Sequence, residues 1–286
     1  MTHYTKIKYY EKKGLSEQFI REMIYRNYSP RTIENYVLQL KLMHRHFKVP
    51  LDEISRDQFK TYAYYLVTER KLSNVTINQL ISAWKILQKD VLSRNWENIK
   101  LVRPRKKRSL PEVLSQPEVQ RLIDALSNLK HTILLQIAYS CGLRLEEIQN
   151  LKPSHIDSSR MVIRVEYGKG NKSREVPLSS NLLESLRVYY RRYKPKNYLI
   201  EGREKGSRYS TTSFRKVVQK AALKAGIKKR VSPHLLRHCF ATHMLEKGIN
   251  LKRLQMLMGH NSMRSTSIYL HLAQPSKSEV PDLLAY

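Results

Sequence analysis

One change of rhythm constrains the fold more than any other feature of the sequence. Apolar residues recur at three- and four-residue spacing along most of the chain, but not between 161 and 178. There Met161-Val-Ile-Arg-Val-Glu-Tyr167 alternates and reads as a strand. Gly168-Lys-Gly-Asn-Lys172 reads as a turn, and Ser173-Arg-Glu-Val-Pro-Leu178 returns as a second strand. A single hairpin among helices predicts a mainly α fold with a small β-sheet.

The helical segments carry their own start signals. Ser29-Pro30 places a capping side chain before a proline at the first helical position, ahead of Ile33, Tyr36, Val37 and Leu40. Ser55-x-x-Gln58 is a capping box before Phe59, Ala63 and Leu66, and Ser73 opens a run with Ile77, Leu80, Ile81 and Trp84. With a stretch over 15–25, these predict a bundle of four helices in residues 1–102. Ser115-x-Pro117-Glu118 is a further capping box and starts a second domain. Its helices are predicted at about 116–127, 131–140, 180–193, 211–225, 233–247, 251–258 and 263–272. Between the two, residues 103–109 form a basic linker, and the second domain runs over 110–286.

Charge narrows the partner. The chain of 286 residues has 53 Lys and Arg against 24 Asp and Glu, a net charge of +29. Residues 1–105 hold 20 basic and 10 acidic side chains and residues 106–286 hold 33 and 14, so the excess is no detachable tail. Nucleic acid is the polyanion that suits such a distribution best. In the linker, Arg103, Arg105, Lys106, Lys107 and Arg108 are suited to lie along a phosphate backbone, as are Lys172 and Arg174 at the hairpin. No apolar run is long enough to span a membrane. Two cysteines, Cys141 and Cys239, exclude a disulfide framework and a Cys-rich zinc site, and fit a reducing cytoplasm.

Several polar residues stand in apolar surroundings. Arg144 follows a glycine break after an apolar helix, with Glu147 at i+3 as a salt-bridge partner. Lys169 lies at the hairpin tip, where Lys172 competes with it for any role. His234, Arg237 and His238 share a helix start. The two histidines stand at zinc-protease spacing, but Leu235 occupies the position where that pattern needs a glutamate. His260 ends a helix, and Tyr269 is one of 18 tyrosines. Singly each is unremarkable; together they are a phosphodiester chemistry set. Arginines give bidentate donors to non-bridging oxygens, a lysine can protonate a leaving alkoxide, and a tyrosine can attack phosphorus.

Five blocks carry a family resemblance: Gly142-Leu-Arg144-Leu-Glu-Glu147, Gly168-Lys169-Gly-Asn-Lys-Ser-Arg174, Pro233-His234-Leu-Leu-Arg237-His-Cys-Phe-Ala-Thr-His243, Leu257-Met-Gly-His260 and Ser265-Thr-Ser-Ile-Tyr269. The chain resembles the tyrosine recombinases, the phage and integron integrases and Xer-type site-specific recombinases, over nearly its whole length. The resemblance implies an N-terminal four-helix, SAM-like core-binding domain and an α+β catalytic domain that close on duplex DNA as a clamp. It implies cleavage and rejoining through a 3′-phosphotyrosyl intermediate and a Holliday junction, with no metal, ATP or other cofactor. Tyr269 looks like the nucleophile and Arg144 and Arg237 like the clamp on the scissile phosphate. His260 resembles the additional phosphate donor, Lys169 the acid for the leaving 5′-oxygen, and His234 the general acid/base near the tyrosine. Glu147 resembles the supporting acidic residue that holds Arg144 or His234. The expected partners are DNA bearing a short inverted repeat and three further copies of the chain, with a second recombinase or a DNA-bending protein as an accessory. After Tyr269, the tail with Leu283, Leu284 and Tyr286 is expected to dock on a neighbouring copy. A non-catalytic DNA-binding protein on the same scaffold and a type IB topoisomerase are the alternatives.

Overall fold

The structure, a computed structural model, describes residues 13–96, 112–166, 173–270 and 272–273. The chain divides into two compact units, Met1–Lys107 and Arg108–Tyr286.

In the first unit the described helices are α1 (Lys13–Tyr25), α2 (Pro30–Phe47), α3 (Arg56–Thr68) and α4 (Asn74–Lys85), the last continuing into a wider-turned stretch over Ile86–Val91. The capping residues act as the sequence predicts. The Ser29 hydroxyl accepts from Thr32 N–H, Ser73 from Thr76 N–H, and Ser55 and Gln58 cap each other reciprocally. The apolar stripes meet in one core, where Phe59 stacks on Trp84 at 4.9 Å and Phe19, Met23, Ile33, Met43 and Leu80 fill the layers around them.

The second unit surrounds α6 (Leu129–Ser140), which is apolar on nearly all sides and packs against α5 (Gln116–Asp124), α8 (Ser180–Tyr193), α9 (Thr211–Lys224) and α10 (Pro233–Glu246). A short α7 (Leu145–Asn150) follows it. The sheet has three antiparallel strands, β1 (Ile156–Asp157), β2 (Val162–Val165) and β3 (Arg174–Pro177), in that order. β2 and β3 pair as the expected hairpin, with Ile163 opposite Val176 on the buried face. A short 3-10 turn, Pro153–His155, precedes β1, and α11 (Leu251–Met258) and α12 (Arg264–Ser267) follow α10.

Three differences from the sequence reading have local causes. α7 and β1 are too short to show a period and were not expected. The last helix, expected over about 263–272, stops at Ser267, and Tyr269 stands on the turn beyond it. The hairpin tip with Lys169 and Lys172, the linker Arg103, Arg105, Lys106, Lys107 and Arg108, and the tail with Leu283, Leu284 and Tyr286 lie outside the described residues. Among the described residues no helix is long and apolar enough to cross a membrane, and no group of three or more His, Cys, Asp or Glu side chains could hold a metal ion.

Candidate active site

The site is assembled on the C-terminal end of α11. A helix end leaves its last carbonyls without intrahelical partners and carries partial negative charge. Here the chain turn covers the first two, since Gly259 N–H donates to Met256 O and His260 N–H to Gln255 O. The next three carbonyls each receive a different arginine. Arg174 Nε donates to Leu257 O at 2.7 Å, Arg237 Nη2 to Met258 O at 2.6 Å and Arg144 Nη2 to Gly259 O at 2.9 Å.

Glu147 holds the arginines from the other side. Its carboxylate takes a fork from Arg174 at 2.9 and 2.8 Å, accepts from Arg144 Nη1 at 2.8 Å, and reaches back to Arg144 N–H at 2.8 Å. That last bond makes Glu147 the third-residue partner that caps α7, whose N-cap is Arg144. Burial pushes the carboxyl up, but Arg174, the Arg144 backbone and the Arg144 charge outweigh it and hold it at about 2. Arg237 is only 5% exposed and also donates from Nη1 to Gly142 O at 2.6 Å. Burial, then the neighbouring Arg144, lowers its pKa to about 10, against the pull of Glu147, so it stays charged at neutral pH. With Arg237 Nη1 3.9 Å from Glu147 Oε2, three guanidiniums are paired with one carboxylate, two of them by hydrogen bonds, and the surplus positive charge is held in place before any anion arrives.

Two glycines make this approach possible. Gly142 has φ +57°, and a Cβ there would lie 2.2 Å from Phe240 Cδ1. Gly259 has φ +60°, and its Cβ would lie 2.9 Å from Arg174 Nη1 and 3.1 Å from Cζ. Gly259→Ala is therefore expected to cost about 2 kcal/mol, from left-handed strain and displacement of an arginine held by three hydrogen bonds. Denaturant unfolding checks this; a loss within experimental error would show that Arg174 can yield freely.

His260 sits between the arginines and Tyr269. Its Nε2 lies 3.0 Å from Arg237 Nη2 and its Nδ1 2.9 Å from Thr266 Oγ1. Burial first, then Arg237, Arg144 and Arg174, lower its pKa to about 4, so the ring is neutral at pH 7. Because an arginine can only donate, Nε2 accepts and Nδ1 carries the hydrogen to Thr266. Tyr269 stacks parallel to His260 at 6.4 Å and is 2% exposed. Its hydroxyl is 2.9 Å from Nδ1 of His238. Burial raises the phenol pKa, and Arg237 and Arg144 pull it back.

Of the residues singled out in the sequence, the structure brings together Arg144, Glu147, Arg237, His260 and Tyr269. Two expectations are corrected. Arg174 is no free DNA contact: its guanidinium is engaged by Glu147 and Leu257, so it belongs to the interior of the site. The histidine at the Tyr269 hydroxyl is His238, one turn beyond His234. His234 is exposed near the start of α10, within the field of Arg237, Arg215 and Arg144. Glu147 holds Arg144, as one of the two expected alternatives had it, and its other bonds go to Arg174. The i,i+4 spacing of His234 and His238 was the available signal. Both cysteines are buried, which pushes the Cys141 thiol up to about 12 and the Cys239 thiol to about 11.

A pH effect follows from Glu147. Its folded pKa lies below its ordinary value of 4.5, so the unfolded state binds the extra proton. Its contribution to stability is complete above pH 4.5 and is lost as pH falls towards 2. In unfolding of the second unit, the gap between the wild type and Glu147→Gln should shrink steadily below pH 4.5. A gap that does not change with pH would contradict this.

Comparison with known proteins finds matches in both units of the chain. The profile of the phage integrase family matches residues 112–275, and that of the phage integrase N-terminal SAM-like domain matches residues 15–98. A putative integrase/recombinase, y4qK, of Sinorhizobium fredii is 39% identical over 260 residues, 91% of this chain and 84% of its own. A tyrosine recombinase of Pseudothermotoga lettingae is 34% identical over 237 residues, 80% of this chain and 82% of its own. In fold, the chain is similar to a lambda integrase tetramer solved bound to a Holliday junction, with TM-score 0.72 and 18% identity over 90% of this chain and 76% of that one. The arginines, Glu147, His260 and Tyr269 all fall within the stretch matched by the phage integrase family profile, and with relatives at this identity and extent the chain belongs to the phage integrase family, as a tyrosine-type site-specific recombinase.

Proposed function

We propose that this protein cuts and rejoins duplex DNA at a specific site through a covalent bond between Tyr269 and a 3′-phosphate, and that four copies exchange strands by way of a Holliday junction. The observation that carries the reading is the buried Tyr269 ring stacked on His260, whose Nε2 accepts from Arg237 within a cluster of three arginines paired with Glu147. Arg144 and Arg237 bind the non-bridging oxygens of the scissile phosphate and stabilise the charge that builds there. Glu147 and Arg174 hold them in register. His260 orients Arg237 and backs the tyrosine ring. Lys169, on the hairpin, protonates the leaving 5′-oxygen, and His234 lies at the open edge of the site as a second proton-transfer group. The phosphotyrosyl bond retains the energy of the phosphodiester, so rejoining needs no ATP and no other cofactor.

The linker residues Arg103, Arg105, Lys106, Lys107 and Arg108, with Lys172, contact the phosphate backbone. The net charge of +29 supplies positioning along the duplex, whereas sequence is read at base edges. The lambda integrase tetramer on its junction supports the assembly on grounds of fold alone.

The test is a duplex carrying the protein's recombination site, nicked beside the cleavage point so that the freed strand end diffuses away. A detergent-stable protein–DNA adduct should accumulate in the presence of a chelator and without nucleotide. Binding to the site with no adduct would favour a non-catalytic DNA-binding protein.

A further inference from the structure

We infer that Arg174 is a positioning residue that stops Glu147 from quenching the arginine clamp. It fills acceptor sites of the carboxylate that Arg144 and Arg237 would otherwise take, and so leaves their donors to the phosphate. This rests on the function proposed above and assigns a residue on which its site depends.

The strand aims the side chain inwards. Residues two apart on a strand share a face, so Arg174 lies on the side of buried Val176. Glu175 between them is exposed and pairs with Arg160 at 2.8 and 3.0 Å. Arg174 keeps only 11% of its side chain exposed. Its Nε is tied to Leu257 O and both terminal nitrogens to Glu147, so the guanidinium is held along its whole edge.

A carboxylate offers about four lone-pair sites, and each oxygen of Glu147 accepts two bonds. Oε1 takes Arg144 Nη1 at 2.8 Å and Arg174 Nη1 at 2.9 Å. Oε2 takes the Arg144 backbone N–H and Arg174 Nη2, both at 2.8 Å. Saturation has a visible consequence at Arg237. Its Nη1 stands 3.9 Å from Oε2, beyond hydrogen-bond reach, and donates to Gly142 O instead. Arg144 gives the carboxylate one terminal nitrogen, while its other goes to Gly259 O. Its Nε and the second hydrogen on each terminal nitrogen remain for substrate oxygens, and Arg237 likewise keeps Nε.

Without Arg174, two acceptor sites on Glu147 would stand bare, on a side chain only 5% exposed. A buried charge that loses its partner draws the nearest donors. Those are Arg144, which can close a fork, and Arg237 at 3.9 Å. Both would turn from the phosphate, and the carboxylate that orders the clamp would compete with DNA for it. The charge is a full one at neutral pH: burial pushes the Glu147 carboxyl up, and Arg174 leads the influences that hold it at about 2.

The experiment measures single-turnover adduct formation on saturating nicked DNA, with DNA affinity and thermal unfolding followed alongside. Arg174→Met fills much of the same space without charge. It should slow adduct formation on the order of a hundredfold, as loss of a donor to the phosphate does. Affinity should hardly change, because one phosphate contact among many is altered. Neutralising the carboxylate as well should bring the rate back. The double variant Arg174→Met/Glu147→Gln should run about tenfold or more faster than Arg174→Met, while regaining none of its stability. A merely structural role would make the two losses multiply. Arg174→Lys should fall between the wild type and Arg174→Met, since an ammonium keeps charge beside Glu147 but cannot form the fork. If Arg174→Met does not fold, Arg174→Lys with and without Glu147→Gln carries the same comparison.

A wild-type rate in Arg174→Met overturns the inference, as does a double variant no faster than its Arg174 parent. If the wild type itself yields no adduct, the proposed function falls and this role with it. If the wild type cleaves and Glu147→Gln gives no recovery, that function stands and only the role of Arg174 falls.

Discussion

Tyr269→Phe should form no covalent adduct with nicked DNA while binding the same site with unchanged affinity. The substitution removes a single oxygen. The ring keeps its stacking on His260 and its place in the apolar cluster with Phe240, Leu254 and Met258. The fold loses one hydrogen bond, to His238, which is worth about 1 kcal/mol. The stability of the second unit should therefore fall little, and loss of the adduct cannot be laid to unfolding. The arginines proposed to meet the phosphate are untouched, since none of them hydrogen-bonds the hydroxyl. A gel-resolved adduct assay beside a binding assay decides the matter. Residual adduct formation by the phenylalanine variant would assign the nucleophile to another of the 18 tyrosines.

The second large effect is expected at Arg237. Removing one donor to a developing oxyanion costs about 3 kcal/mol or more in the chemical step, on the order of a few hundredfold in rate. Arg237→Ala should lose at least that much in single-turnover cleavage, and Arg144→Ala a similar amount. Arg237 has a further consequence that Arg144 lacks. Its side chain is buried, and its removal strands the carbonyls of Gly142 and Met258 and the acceptor nitrogen of His260. Each buried group left unpaired costs about 1–3 kcal/mol, so the alanine variant should also unfold more easily. Arg237→Lys separates the two effects. An ammonium keeps the charge and satisfies one carbonyl, but it cannot span both carbonyls and the phosphate. Stability should recover in part and the rate should stay low. A folded Arg237→Ala that cleaves within tenfold of wild type would remove this arginine from the clamp.

Much of the second unit was legible because its signals are local. Ser115 and Glu118 cap each other across three residues, and α11 runs over the 251–258 expected from its spacing. Glu147 was recognisable as the partner of Arg144 because both lie within one helical turn. The illegible parts fail for equally physical reasons. Six residues of α7 and two of β1 are too few to establish a period. Arg174, at the mouth of a hairpin in a chain with a large positive charge, reads as one more phosphate contact. Nothing near it in sequence reveals that Glu147, 27 residues earlier, and Leu257, 83 residues later, enclose it. His238 was visible as a ring one turn from His234. Which of the two rings meets Tyr269 depends on how the turn after α12 lies against α10.

By itself the sequence determined where most of the longer helices begin and end, that there is a hairpin, and which residue types are available for phosphate chemistry. Capping, periodicity and turn formation act over a few residues and are written in order along the chain. Tertiary structure decided the pairings. Three arginines from separate segments meet the carbonyls of Leu257, Met258 and Gly259 at the end of α11, Glu147 hydrogen-bonds two of those arginines and lies 3.9 Å from the third, and His238 rather than His234 reaches the tyrosine. Apart from the Glu147–Arg144 pair, three residues apart, these contacts join residues from 21 to 115 positions apart, with the His238–Tyr269 pair at 31. They exist because packing α10 and α11 against the core brings a helix end, with its unpaired carbonyls and partial charge, to the one place where all the guanidiniums can be held.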